Sequence, residues 1–283
     1  MGYDSQAMLL NTVDYVLPNS RPRTYIIAVL TTSTKVAIPS FDMYFKTFVK
    51  MMTRAKRRPP SVLECLLPDD HELVAAQLKS RQEKPHADWE KGSIKIHQDH
   101  YASKGLRWGS LEPTEATAAS PWLKTLTARE QDCLICNMHL FPEVGGFDVS
   151  QSIYRKYQSL TVHGVTVSPA MIPKAVLWWV SRARLQIGYE SMVLAGFPVA
   201  RHRGLVDKHG DEVLKDLAGN CLSGTLIVAI FLPFCVLTPW QADEEAVVHS
   251  VDDKQKEEKD DDSNDLHNED PMSLLRALTS RST

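Results

Sequence analysis

Val16-Leu17-Pro18-Asn19-Ser20-Arg21-Pro22-Arg23 runs directly into Thr24-Tyr25-Ile26-Ile27-Ala28-Val29-Leu30, a proline-bounded turn followed by a β-branched and apolar run. The composition predicts a buried strand continuing to about residue 38. Arg21 and Arg23 are separated by one residue at the strand start, where period-two alternation sends both guanidiniums to the same side. Such a pair can clamp an anion or close a salt-bridged turn.

Two further stretches carry the same kind of signal. Arg182 and Arg184 precede Gly188-Tyr189-Glu190 and Leu194-Ala195-Gly196-Phe197-Pro198, and then Asp216-Leu217-Ala218-Gly219-Asn220-Cys221-Leu222-Ser223-Gly224 leads into an apolar segment. Leu222, Leu226, Ile227, Val228, Ile230, Phe231 and Leu232 predict a helix that is apolar nearly all round, which must be buried.

Taken in order, these stretches resemble the eighth, ninth and tenth sequence blocks of the cytosine-5 DNA methyltransferases. The eighth is a Pro-Gln-x-Arg-x-Arg turn entering a strand, with Gly2-Tyr3 as the upstream pair; the ninth is Arg, Thr-x-x-Glu and Leu-Gln-Gly-Phe-Pro; the tenth centres on Gly-Asn. The departures are Asn19 for Gln, Ile187 where Thr is common, and Ala195 for Gln.

The resemblance implies an α/β fold. Residues 1–39 and 171–240 would belong to an incomplete Rossmann-like core that uses S-adenosylmethionine. Residues 40–170 would form an inserted mixed α+β target-recognition domain, and residues 241–283 a disordered acidic tail. Arg21 and Arg23 would line the catalytic pocket beside a cytosine flipped out of the duplex. Gly219, Asn220 and Ser223 would border the S-adenosylmethionine site, with Ser223 and Gly224 small enough for close approach. The family's chemistry is covalent: a cysteine thiolate attacks carbon 6, a Glu supports the ring nitrogen, and carbon 5 takes the methyl group.

The nucleophile's Pro-Cys and the Glu-Asn-Val motif do not occur in these 283 residues. Gly145-Gly146-Phe147 follows Pro142-Glu143 rather than an apolar strand, so it reads as a turn and not a cofactor loop. The expectation is that the chain supplies the arginine-lined wall, target recognition and part of the cofactor pocket, while the catalytic half lies elsewhere, on the same or another polypeptide. S-adenosylmethionine would then bind only with that half present. A non-catalytic DNA-binding protein or regulatory subunit is the alternative.

Charge is divided unevenly. Residues 243–270 carry thirteen Asp or Glu against Lys254, Lys256 and Lys259, a net of −10, whereas residues 1–242 carry +5. The densest basic cluster is Arg54, Lys56, Arg57 and Arg58, before Pro59-Pro60, which reads either as a solvated face or as a DNA-phosphate or nuclear-targeting patch. The acidic segment is too poor in apolar residues to order itself.

The longest apolar run, Leu226 to Leu237, has twelve residues and contains Pro233, too short to cross a bilayer. With five cysteines lacking framework spacing, the expectation is an intracellular protein, in the nucleus if DNA is the partner. No membrane partner is expected.

No metal is expected either. Cys133 and Cys136 have zinc-ligand spacing, but Leu134-Ile135 between them and the absence of a second pair favour buried thiols. His97 and His100 lack further ligands, and Cys221 is read as a small residue packed at a helix start, where its thiol pKa could be lowered.

For the middle of the chain the patterns predict helices over Phe41–Lys56 and Val62–Gln82. A loop-rich stretch over residues 83–120 contains Trp89 and Trp108, followed by a helix from the Thr127/Glu130 capping box to about Leu140.

Overall fold

The computed structural model describes residues 3–30, 40–84, 89, 92–155, 157–199, 204 and 208–237; the acidic segment 241–283 lies outside them. Strands β1 (Tyr3–Asn11) and β2 (Pro22–Leu30) form an antiparallel hairpin in which Met8 opposes Tyr25 and Leu10 opposes Arg23. Ile27 and Val29 on its inner face are buried, but Ile26 on the other is 70% exposed. The strand is therefore half-buried, not buried on both sides as its composition predicted. Residues 31–39, the expected continuation, lie outside the described residues.

Helix α1 (Phe41–Ala55) forms where expected, and Ser40 Oγ caps it by accepting from Met43 N. Its Tyr44, Phe48 and Met52, spaced by four, pack with Tyr15, Ile27 and Val29 of the hairpin region. The single helix expected over Val62–Gln82 is two, α2 (Val62–Cys65) and α3 (Glu72–Ser80). Pro68 cannot donate to a helical ladder and disfavours helical backbone at the residue before it, and His71 starts a new cap.

The expected loop over 83–120 contains α4 (Ser93–Ser103) and α5 (Glu115–Ala119). Tertiary burial of His97, His100 and Tyr101 overrides a weak local signal there. Helix α6 (Ala128–Leu140) has the predicted capping box, with Thr127 and Glu130 satisfying each other's backbone N–H groups.

A three-stranded antiparallel sheet follows: β3 (Gly146–Asp148), β6 (Leu177–Trp179) and β7 (Arg184–Leu185), in the order β3-β6-β7. Gly145-Gly146-Phe147, read as a turn, thus leads into a strand. Gly146 is required there because a Cβ would lie 2.5 Å from the Trp179 ring. Trp178 and Trp179, neighbours in β6, point to opposite faces and anchor two clusters. Trp179 packs with Val62, Leu66, Met192, Leu194 and Leu214; Trp178 packs with Val74, Trp122, Leu134 and Phe147. These clusters join residues on both sides of position 170. A separate hairpin of β4 (Leu160–Val162) and β5 (Val165–Val167) completes the strands.

The C-terminal part is α7 (Gly188–Leu194), α8 (Asp211–Asn220) and α9 (Gly224–Leu237). Asp211–Leu237 taken as one block is long and apolar enough to cross a membrane. Cys221 closes α8 in extended backbone, however, and α9 alone has 14 residues, about 21 Å at 1.5 Å per residue against a hydrocarbon layer of about 30 Å. Helix α9 also departs from its expected full burial. Leu226 and Ile230 enter the hairpin–α1 core, but Val228, Phe231, Leu232 and Val236 are more than half exposed. Residues Met1–Pro239 form one compact unit, a mixed α/β arrangement of helices and small antiparallel sheets.

Candidate functional site

The arginine turn is held by side chains of the hairpin that precedes it. Asn11 Oδ1 accepts from Arg21 N at 2.8 Å, and Asn11 Nδ2 donates to Ser20 Oγ at 3.1 Å. Thr12 Oγ1 donates to Asn19 O and accepts from Arg21 N. On one flank Tyr15 pairs with Arg57 in a parallel bridge; on the other Asn19 pairs with Ser168. Ser20 N donates to Ser168 O and Ser168 N to Pro18 O. The Asn19 side chain is wholly buried, with neither its oxygen nor its nitrogen hydrogen-bonded.

Arg21 and Arg23 have different fates. Arg21 is 7% exposed, and its guanidinium donates from Nη1 to Ala218 O at 3.2 Å and from Nη2 to Gly219 O at 2.8 Å. Those carbonyls belong to the last turn of α8, where orphan acceptors and the negative end of the helix dipole favour a cation. Burial, and then the Arg23 charge, lower the Arg21 pKa; arginine starts so high that the group stays charged. Arg23 lies exposed one strand step away and donates to Pro22 O.

The Gly219-Asn220 junction is a helix end, not a helix start. A Cβ on Gly219 would sit 2.4 Å from Pro173 N, so glycine is needed for backbone packing there. Asn220 is exposed and Ser223 is buried. Cys221 donates from Sγ to Ala218 O at 3.2 Å, and burial pushes its thiol up against the opposing effect of Arg21. The lowered pKa considered for a helix-start cysteine does not arise.

Gly224 N donates to Ala195 O at 3.1 Å, and a Cβ on Gly224 would lie 2.6 Å from Gly196 O. Leu194–Pro198 and the start of α9 are thus locked backbone to backbone. Thr225 Oγ1 donates to Tyr15 O at 2.8 Å, tying α9 to the arginine turn as well.

Arg184 and Glu190 anchor a polar network whose role the sequence alone does not reveal. Arg184 Nη2 and Nη1 donate to Glu190 Oε1 and Oε2 at 2.8 and 3.1 Å, with both residues buried. Arg184 Nε also donates to Asp69 Oδ1 at 2.8 Å and Nη2 to Leu67 O at 2.7 Å. Glu190 accepts in turn from Leu67 N and Ile187 N. The pair therefore pins the α2–α3 link against β7 and α7. The only signal in the sequence was two opposite charges six residues apart in an otherwise apolar stretch.

The basic cluster lies beside the turn, and its four side chains are exposed. Lys56 Nζ meets Asp14 Oδ2 at 2.9 Å, Arg57 Nη1 donates to Arg54 O and Lys56 O, and Arg58 Nη2 donates to His163 O.

His97, Tyr101, Cys133 and Cys136 are buried. His97 Nδ1 meets Asp132 Oδ2 at 2.5 Å, and Tyr101 OH donates to Asp132 Oδ1. Burial pushes the Cys133 thiol up to about 12 and the Cys136 thiol up to about 11. Among the described residues no group of three or more His, Cys, Asp or Glu could hold a metal ion.

No known family's sequence profile matches the chain. It is 24% identical over 258 residues to DNA (cytosine-5-)-methyltransferase DMT5 of Cryptococcus neoformans var. grubii, an alignment that covers 80% of this chain and 10% of that protein. The chain thus spans about a tenth of the length of the relative it matches. By this similarity the chain is a distant relative of a fungal DNA cytosine-5 methyltransferase.

Proposed function

We propose that this chain is the C-terminal portion of a DNA cytosine-5 methyltransferase-like protein of the nucleus. Residues 1–39 and 171–240 contribute to a Rossmann-like core, and residues 40–170 to target recognition. The observation that carries the reading is the pair of hydrogen bonds from Arg21 to Ala218 O and Gly219 O, across 197 and 198 residues of sequence. They join the two stretches that the eighth and tenth blocks would require to border one cleft.

In this reading Arg23, exposed on the hairpin face that also carries Leu10 and Tyr25, is the guanidinium that reaches the flipped cytosine. Arg21 holds the turn that aims it. The residues at the junction fit one wall of an S-adenosylmethionine site and not a complete cage. Gly219 is filled against Ile172 and Pro173 and Ser223 is buried, which leaves Asn220 as the polar side chain able to meet the cofactor. S-adenosylmethionine supplies the methyl group when bound. The nucleophilic cysteine and its partner Glu come from polypeptide outside these 283 residues.

Two surfaces support a missing neighbour. The exposed Val228, Phe231, Leu232 and Val236 of α9 and Leu9 and Ile26 of the hairpin are the kind of apolar area that marks an interaction face. Among the described residues the hairpin is a two-stranded sheet, a unit marginal by itself. The second reading, a non-catalytic DNA-binding or regulatory subunit, keeps the DNA partner and drops the cofactor.

The test is transfer of labelled methyl groups to duplex DNA. The purified chain alone transfers none. Addition of a polypeptide carrying Pro-Cys and Glu-Asn-Val restores transfer, and an Arg23→Ala chain fails to support it. Methylation by the chain alone would overturn the proposal; restored transfer that ignores Arg23 would overturn its assigned role.

A further inference from the structure

Among the described residues, Val16, His163, Lys174 and Ala183 hold left-handed backbone without being glycine, at φ 74°, 51°, 60° and 45°. Val16 is the β-branched one of these. Two methyl groups on its Cβ add to the crowding that makes this region costly for any L side chain, and glycine or asparagine would suit the position better. Burial does not offset the cost, because Val16 is 44% exposed. Its own amide makes only a long bond, Val16 N to Arg57 O at 3.4 Å.

The conformation persists because distant segments fix the chain on both sides of it. Before Val16, Tyr15 is buried and its carbonyl accepts from Thr225 Oγ1 of α9 at 2.8 Å; Asp14 O accepts from Arg57 N, just beyond α1, at 2.8 Å. After it, Leu17 is buried with both Cδ atoms seated against Gly196, and Pro18 O and Ser20 N are both bonded to Ser168. A strained backbone survives only where its surroundings over-determine it in this way. Asn19 adds a second cost to the same turn. Its side chain is wholly buried, and neither Oδ1 nor Nδ2 finds a partner among the described residues, which is destabilising for a polar group out of water. Both costs lie in the five residues before Arg21, whose guanidinium closes on Ala218 O and Gly219 O.

We infer that Val16 is a sprung hinge: the turn from Val16 to Ser20 has a second, relaxed arrangement in which Val16 returns to extended backbone, the Asn19 amide meets water and Arg21 leaves the end of α8. The stored strain lowers the free energy of this opening below that of the surrounding core, so the turn opens as a local unit while the rest of the fold stays closed. Thr225 and Arg57 are the grips on the hinge, and a load on α9 or on the end of α1 reaches the arginine turn through Tyr15 and Asp14. The inference holds whatever the chain acts on. If the functional reading above is also right, the hinge sets where Arg23 stands.

The experiment is native-state hydrogen exchange of the full chain, read as protection factors of single amides by NMR. Ser20 and Arg21 report the turn, since Ser20 N donates to Ser168 O at 2.9 Å and Arg21 N to Asn11 Oδ1 at 2.8 Å. Val149 and Gln186, bonded to Val176 O and Leu177 O, report the sheet around Trp178 and Trp179. In the wild-type chain the first pair is less protected than the second. Val16→Asn and Val16→Gly tolerate the left-handed backbone, Asn without the added chain entropy of glycine; they raise the protection of Ser20 and Arg21 about 5-fold and leave Val149 and Gln186 unchanged. Val16→Ile keeps the β-branch and raises nothing. Asn19→Leu replaces the unpaired amide with hydrocarbon of similar size and raises the same two amides. Turn protection that is unchanged or lower in both Val16→Asn and Val16→Gly would overturn the strain. Equal protection of all four amides in the wild-type chain, or an equal rise of all four in the variants, would overturn the local hinge.

Discussion

Replacing Arg21 with methionine keeps the stem that packs in the turn and removes the guanidinium that closes α8. Two hydrogen bonds from a charged group, at 3.2 and 2.8 Å, are worth about 1.5–3 kcal/mol each, and the cation at a helix C-terminus adds up to about 2 kcal/mol in a partly buried setting. Against this stands the cost of keeping a guanidinium that is 7% exposed out of water, several kcal/mol per buried ion. The carbonyls also keep some compensation, since Cys221 Sγ donates to Ala218 O. The expected net destabilisation is about 2–4 kcal/mol, or a fall in Tm of about 4–16 °C for a unit of this size. Arg21→Lys retains the charge but not the fork, and should lose about half as much. The assay is urea denaturation followed by circular dichroism, with Arg23→Met as the control, because the exposed Arg23 should cost no more than about 0.5 kcal/mol. If Arg21→Met is no more destabilising than Arg23→Met, the guanidinium does not hold the junction and does not link the two stretches.

Glu190→Gln breaks the buried pair with Arg184 and leaves a cation that Asp69 alone must compensate; a loss of about 3–5 kcal/mol in the same melts is expected, and a loss under 1 kcal/mol would contradict it. Gly224→Ala places a Cβ 2.6 Å from Gly196 O and should cost about 1–3 kcal/mol by overpacking, whereas Gly210→Ala, where a Cβ meets nothing within 4 Å, should cost less. The pH dependence follows from His100, whose two ring nitrogens are buried without a partner. Burial, then Lys104 and His97, lower its pKa, while Asp132 opposes them and the Tyr154 ring packs edge-on against it. Because the folded value is depressed, the unfolded chain takes the proton first. Stability is then full above about pH 6.5 and falls below it, by up to about 1.4 kcal/mol per pH unit from this group. His100→Leu should reduce the loss between pH 7 and pH 5.5, and an identical loss in both proteins would exclude His100 as its source.

By itself the sequence determined the elements whose signals are local. Apolar residues at helical spacing specify α1, and the Thr127/Glu130 capping box specifies the start of α6, because a periodic face and a cap need no knowledge of the rest of the chain. The arginine turn and the Gly-Asn junction were legible as motifs for the same reason. Tertiary structure decided what each does. Arg21 and Arg23 are equivalent in sequence, yet one is spent on the carbonyls of α8 and the other faces solvent, because only folding brings residue 218 to residue 21. The partnership of Arg184 with Glu190 and Asp69, the seat of Gly224 against Gly196, and the α4 helix within an apparently irregular stretch all depend on long-range burial. Helix α9 marks the boundary between the two: its apolar character is written in the sequence, but how much of it is covered depends on its neighbours, and among the described residues Leu226 and Ile230 are buried while Val228, Phe231, Leu232 and Val236 are exposed.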